Sequence, residues 1–550
     1  MTANAHYRNA LIILPLTLLA VFGLWAYKDF GIASDEPWLR ELSIVSLNYV
    51  AEALNAPALY TQTAVTLPHL KDYADGDHGV VFEIFVLAIE KILKIDNERE
   101  LYQLKHLITF LASLGGVVAI YLLAKRRFGD WRYGLLAAAM LVASPRIFGE
   151  SFYNSKDIIF MACFAMALNS TISFALKKTA TSTILHSLIT AIAFDMRIAG
   201  VVIPAITVFI LLVQGVKQPA DVRKNCIYGL SYLVLAAGLS VLVWPWLWLD
   251  IAGNLKQAFI NMAHFQRLII WILFRGHYYV SDDLPWYYIP IYISITTPVV
   301  YLAFFGIGLI KISTQILMCN LRFWRTDEEM QDFLFINVFV FPIIIAILLK
   351  SVLYSGWRHF YFIYPCLILI AVAGFRFLLN FKKNRIIQAA FIGILLGNML
   401  FNATWIVKAH PLSNVYFNIL AGRSWWSKYE VDYWGMATYH SLKYILAHDQ
   451  RELITIKPLQ CINLDVSLKL LTKEERDRVR VLRDDASADY MLLNYIFMSP
   501  EQAQVWKKIS SDYTVFHNIK VDGEPVISIL KEDIPLVKNV VNGAALSYCP

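Results

Sequence analysis

Charge is what this chain has little of. Asp, Glu, Lys and Arg make up 17% of its 550 residues, against 58% hydrophobic ones, and the mean hydropathy is +0.52. A soluble domain has no use for so much apolar surface, and a disordered chain carries far less. Cysteine is scarce too, with six in all, which excludes a disulfide-built secreted scaffold. The common metal and nucleotide signatures are missing: there is no CxxC, no HExxH and no phosphate-cradling Walker loop. The formal charge of +7 is spread over short loops and forms no basic face, which argues against nucleic acid as a partner.

What is present is a series of apolar runs of membrane length. About 20 consecutive apolar residues suffice for a helix to cross a bilayer. The sequence predicts eleven spans, two of them short (131–143 and 183–196), at 11–27, 107–124, 131–143, 157–175, 183–196, 198–214, 226–243, 288–310, 333–350, 359–378 and 386–402. The first lacks a small-residue cleavage site and leads straight into a polar loop, so it reads as a retained helix. Alternate loops collect seventeen Lys and Arg, among them Lys125, Arg126, Arg127, Lys217 and Arg385. The positive-inside rule places those loops, and the N-terminus with them, in the cytoplasm. The opposite side receives the long first loop (28–106), the 144–156 loop, the 244–287 segment, the 351–358 turn and the tail.

From about 403 onward charge returns and the apolar runs shorten to strand length, at Leu453–Ile456, Tyr490–Leu493 and Pro525–Leu530. Helix-like stretches lie between them, at Tyr439–His448, Lys473–Val479 and Pro500–Ser510. The expectation is a polytopic α-helical membrane protein over 1–402, with a small extracytoplasmic α/β domain over 403–550. Cys461 and Cys549 are the only cysteines of that domain, and both a disulfide and two free thiols are open.

The polar residues worth following are on the outer side. Asp35 and Glu36 come just after the first span. As neighbours on a helix they point about 100° apart, so only one faces a common site. Pro37 suits a first helical turn, and capping of that helix by Asp35 competes with a catalytic role. The 144–157 loop sets Arg146, Glu150, Tyr153, Asn154, Lys156 and Asp157 among membrane helices. Polar backbone at that depth is tolerated only against protein or a wet cavity. Asp195 and Arg197 add an ion-pair candidate. Arg275 and His277, ahead of Leu284-Pro285-Trp286-Tyr287-Tyr288, and Trp357-Arg358-His359 mix cations with aromatics. An interfacial belt explains the aromatics but not Arg358 and His359, which stand on the side depleted of basic residues. An Arg fork held there suits a phosphate.

The order of these motifs, on one side of the membrane, resembles the GT-C glycosyltransferases over about residues 30–405. Within them it is most similar to the group of protein O-mannosyltransferases and lipid A aminoarabinose transferases. The resemblance implies transfer of a sugar from a polyprenyl-phosphate donor to a glycan, lipid or protein acceptor at the outer face, with inversion. It implies Asp35 as general base with Glu36 beside it, and Arg358, His359, Lys156 and Arg275 on the donor phosphate. It gives Asp157, Glu150, Tyr153, Arg197, His277, Tyr287 and Tyr288 to substrate binding or orientation. A divalent metal ion, where such an enzyme uses one, falls to Asp35 and Asp157. Pro37 directly after the acidic pair departs from the commoner pattern, which leaves the role of Glu36 open. The expected setting is a bacterial inner membrane with the tail domain in the periplasm. Two other classes stay open, a transporter or lipid-glycan flippase and a non-catalytic glycan-binding scaffold. Against the transporter, no inverted repeat is evident and the charges gather at one face.

Overall fold

The computed structural model describes residues 2–61, 66–263, 267–318, 323–381, 384–459, 464–483, 487–495 and 514–531. Among them, eight helices are long and apolar enough to cross a membrane: Glu98–Phe128, Asp157–Lys177, Ile198–Lys217, Pro219–Val243, Val299–Met318, Asp327–Leu348, Arg358–Asn380 and Arg385–Ala409. Three shorter apolar helices, Ile13–Ala26, Trp131–Val142 and Ala180–Met196, fall on the other three predicted spans. The chain is an integral membrane protein.

One predicted span is divided. The stretch 288–310 is a helix Tyr288–Thr296, a break, and a second helix from Val299. Pro298 causes the break, because it cannot donate a backbone hydrogen bond and drives Thr297 to an extended conformation (φ −102°, ψ 140°). Ahead of it, the 244–287 segment contains a helix Ile251–Ala263 and a hairpin, Trp271–Phe274 with His277–Val280. Arg275 and Gly276 turn that hairpin, both at positive φ.

The membrane helices meet most closely where glycines allow backbone contact. A Cβ on Gly308 would lie 2.0 Å from the Ile370 carbonyl oxygen, and one on Gly374 would lie 2.1 Å from that of Phe304. Gly306, two residues away, has open space around it. Gly308→Ala is therefore expected to lower the thermal midpoint in detergent, at a cost of about 1–3 kcal/mol for overpacking. Gly306→Ala should leave it unchanged or raise it slightly. Equal midpoints for the two variants would refute this packing account.

The tail forms a five-stranded sheet in the order Val479–Val481, Ile454–Pro458, Tyr490–Asn494, Glu524–Lys531, Thr514–Val521. The first three strands pair in parallel and the last two join antiparallel. Helices Met436–His448, Leu464–Leu468 and Lys473–Asp477 accompany them. The predicted helix 500–510 and both Cys461 and Cys549 lie outside the described residues. Between the last membrane helix and this sheet, residues 410–435 form an irregular strap with buried side chains at Tyr416, Phe417, Glu430, Asp432, Tyr433 and Trp434. That strap packs against the 144–157 loop and the 355–358 turn, which brings the tail to the polar site.

Candidate active site

Asp35 stands at the N-cap of the helix Glu36–Ala53, yet its side chain makes no capping hydrogen bond. Its Oδ2 accepts from an Arg358 guanidinium nitrogen at 2.8 Å, and the side chain remains 22% exposed. Oδ1 has no hydrogen-bond partner among the described residues. Glu36 turns the other way, as helical geometry requires of a neighbour. It is fully buried, where it accepts from the Ala33 N–H at 2.7 Å and meets His106 Nε2 at 3.1 Å. The structure thus brings Asp35, and not Glu36, to Arg358.

Arg358 is launched into this position by the turn Ser355-Gly356, both at positive φ. The same nitrogen that meets Asp35 lies 3.4 Å from Asp157 Oδ2, so one guanidinium spans two carboxylates. Asp157 opens its helix with its own N–H donated to Asn154 Oδ1 at 2.8 Å, and it is also ion-paired to Arg197. Asp195, the partner expected for Arg197, instead accepts from the Val81 N–H at 2.8 Å. Arg197 is thereby free for Asp157.

Lys156 completes the cluster. Its ammonium lies 5.0 Å from the centroid of the Trp38 ring and has no hydrogen-bond or ion-pair partner among the described residues. Burial pushes its pKa down to about 8, with Arg197 adding to the fall and Asp35, Asp157 and Asp77 opposing it. His359 faces Arg197, Arg358 and Lys156, with its ring edge-on to Tyr354 at 4.8 Å. The buried Nε groups of Arg358 and Arg197 also lack partners. Three cations with spare donors therefore surround two carboxylates, an arrangement short of one anion.

The 154–157 segment is held from both sides. From the first loop, Glu83 accepts from Ser155 Oγ at 2.5 Å and from Lys105 Nζ at 2.7 Å, all three buried. On the inner side, Asn154 donates to Glu150 Oε2 at 2.7 Å and to Asp157 Oδ2 at 3.2 Å. Glu150 Oε1 accepts from the Tyr361 and Tyr433 hydroxyls at 2.6 and 2.9 Å, and Arg146 donates to the Tyr433 hydroxyl at 3.3 Å. Burial raises the Glu150 pKa, against the pull of Arg146 and these three donors. Tyr153 is buried beside them, with its ring 6.0 Å from Trp434.

Other predicted residues lie apart. Arg275 and His277 occupy the exposed tip of the hairpin, with Arg275 over the Tyr287 ring at 5.8 Å. No described hydrogen bond or ion pair joins either residue to the Asp35 cluster. Tyr287 and Tyr288 pack with Phe274, and Tyr288 is buried against Tyr292. Sequence reasoning missed Trp38, Tyr433 and Trp434 as site residues. The only signal for the last two was the acidic and aromatic run 430–434, directly after the membrane region.

The residues do not fit a divalent metal. Asp35 and Asp157 both point at Arg358, which fills the space between them, and no group of three or more His, Cys, Asp or Glu able to hold an ion occurs among the described residues.

Residues 85–244, the stretch that contains Arg146 to Asp157 and Arg197, match the model of the family described as dolichyl-phosphate-mannose-protein mannosyltransferase. Among solved structures, the chain is similar to ArnT from Cupriavidus metallidurans bound to undecaprenyl phosphate, at 11% identity and a TM-score of 0.46, over 94% of this chain and 98% of that one. It is also similar to the archaeal oligosaccharyltransferase AglB from Archaeoglobus fulgidus, in complex with an inhibitory peptide and a dolichol-phosphate. There the identity is 11% and the TM-score 0.48, over 86% of this chain and 64% of that one. No curated protein matches the sequence.

Proposed function

We propose that this chain is a membrane glycosyltransferase of the GT-C type and that its reaction centre is the cluster of Asp35, Arg358, Asp157, Arg197 and Lys156. The enzyme transfers a sugar from a polyprenyl-phosphate donor to an acceptor hydroxyl or amine. The observation that carries this assignment is the pairing of a spare carboxylate oxygen with spare cationic donors. Asp35 Oδ1 is free to take a proton, while Lys156 and the Nε groups of Arg358 and Arg197 are free to hold an anion.

In the reaction the acceptor oxygen or nitrogen attacks the anomeric carbon as the bond from that carbon to the phosphate oxygen breaks. The acceptor proton passes to Asp35 Oδ1, and the electron pair of the broken bond stays with the departing phosphate. Lys156, Arg358 and Arg197 stabilise the charge that grows there, which is where binding accelerates a reaction. Attack opposite the leaving group inverts the anomeric centre. Asp35 suits the base better than its neighbours because it is the exposed carboxylate. Asp157, Glu36 and Glu150 are all within 1% of full burial; Asp157 and Glu150 have both oxygens committed to other groups, and Glu36 is turned away to His106.

The basic loops support an orientation with the N-terminus in the cytoplasm and the tail sheet outside, as in a bacterial inner membrane. The acceptor, whether glycan, lipid or protein, meets the donor at that outer surface.

The test is binding and consumption of a polyprenyl-phosphate-linked sugar by the purified protein across pH 6–10 (a span of about four units around the Lys156 pKa). Lys156 is an ammonium below about 8 and a neutral amine above it. Donor affinity should therefore fall as pH rises through that value, and Lys156→Arg should remove the inflection, since Arg stays charged throughout. Absence of both binding and consumption by folded protein would sink the assignment.

A further inference from the structure

The strap between the last membrane helix and the tail sheet makes four separate contacts with the cluster and the segments that carry it. The Trp434 ring lies under the Arg358 guanidinium, 4.5 Å from its centroid to the central carbon. The Trp434 carbonyl oxygen accepts from the Ser34 N–H at 3.2 Å, directly before Asp35. Glu430 accepts from the Gly356 N–H at 3.3 Å, in the turn that launches Arg358. Tyr433 donates to Glu150 at 2.9 Å. Trp434 itself is 2% exposed, and a Cβ on Gly31 would come within 2.9 Å of the Met436 carbonyl, so the Asp35 loop and the strap are pressed together.

Trp434 therefore holds both members of the Asp35–Arg358 pair, one through its backbone and the other through its ring. Arg358 has a second ring nearby, Tyr354 at 5.1 Å, but Tyr354 precedes it on the same turn and cannot tie it to another element. An arginine side chain has many rotamers, and spanning two carboxylates with one nitrogen demands a single one. The flat face of an indole selects guanidinium orientations stacked on it, and it does so without competing for the N–H donors.

We propose that Trp434 is a positioning residue for sugar transfer: it fixes the guanidinium of Arg358 across Asp35 and Asp157 and leaves its unpartnered N–H groups for the donor phosphate. This rests on the reading of the cluster given above. The strap of the tail then sets the strength of donor binding, together with the membrane helices.

The experiment compares Trp434→Leu and Trp434→Phe, with undecaprenyl phosphate and dolichyl phosphate as the binding probes. Phe keeps a π face and Leu keeps only apolar bulk. Trp434→Leu should weaken probe binding by about ten-fold, the size of a desolvated cation–π contact, and Trp434→Phe by about three-fold or less. KM for the donor should rise more than kcat falls. Equal losses in the two variants, or none in either, overturn the proposal. A wild type that binds neither probe overturns the phosphate reading instead. The ring's role is then decided in the free protein by a thermal double-mutant cycle of Trp434→Leu with Arg358→Lys. Non-additive midpoints support the proposal and additive ones refute it.

Discussion

Asp35→Asn is expected to reduce turnover by about 10²–10⁴-fold, the usual contribution of a positioned general base. The same variant should bind donor at least as well as wild type. An asparagine keeps an oxygen for Arg358 at the position of Oδ2 and so preserves the contact now at 2.8 Å. It also removes one negative charge from beside the anion site, which favours a phosphate. Turnover lost with binding kept or tightened is a signature that a structural role does not produce. A helix cap replaced by asparagine would change almost nothing, because asparagine caps as well as aspartate. Steady-state kinetics and probe binding on the purified variant provide the check, and turnover within ten-fold of wild type would remove Asp35 from the mechanism.

The second large effect concerns its partner. Arg358→Ala leaves Asp157 with Arg197 alone and leaves Asp35 with no cation in hydrogen-bond contact. Stranding one partner of a buried ion pair costs about 3–5 kcal/mol. The partial exposure of Asp35 and the remaining Arg197 place this case at or below the lower end of that range. Donor binding should fall by about 10²-fold, since two carboxylates would face the phosphate with less to oppose them. Arg358→Lys returns the charge but not the fork, and should recover binding only in part. Calorimetry with undecaprenyl phosphate, paired with thermal midpoints, separates the two consequences. Wild-type binding by Arg358→Ala would return this arginine to the interfacial belt.

The parts of this molecule legible in the sequence are those whose cause is local. Eleven apolar runs could be read because each carries its own hydropathy, and all eleven have a helix on them. The break at Thr297-Pro298 was written in the chain too, but a long apolar count over 288–310 hid it. The strand Thr514–Val521 escaped notice because its pattern is half polar and its pairing with Glu524–Lys531 is what makes it a strand. Asp35 was visible by its place after the first span. Its partner is 323 residues away, and no local signal joins the two. Arg275 had the same cation-among-aromatics signature as Arg358, yet one is a hairpin tip and the other the centre of the cluster. The distinction lies in the tertiary path of the chain.

That separation also sets a schedule for the molecule's birth. A ribosome adding about 5–20 residues per second needs about 16–65 s to travel the 323 residues from Asp35 to Arg358. Until then Asp35 has emerged without its counter-ion, and Trp434 comes later still. The nascent chain can thread every earlier helix while its chemistry is unassembled. On the proposed reading, a chain cut short after its membrane helices is inserted with Asp35 and Arg358 in place but without Trp434, and is expected to bind donor about ten-fold more weakly than the full chain.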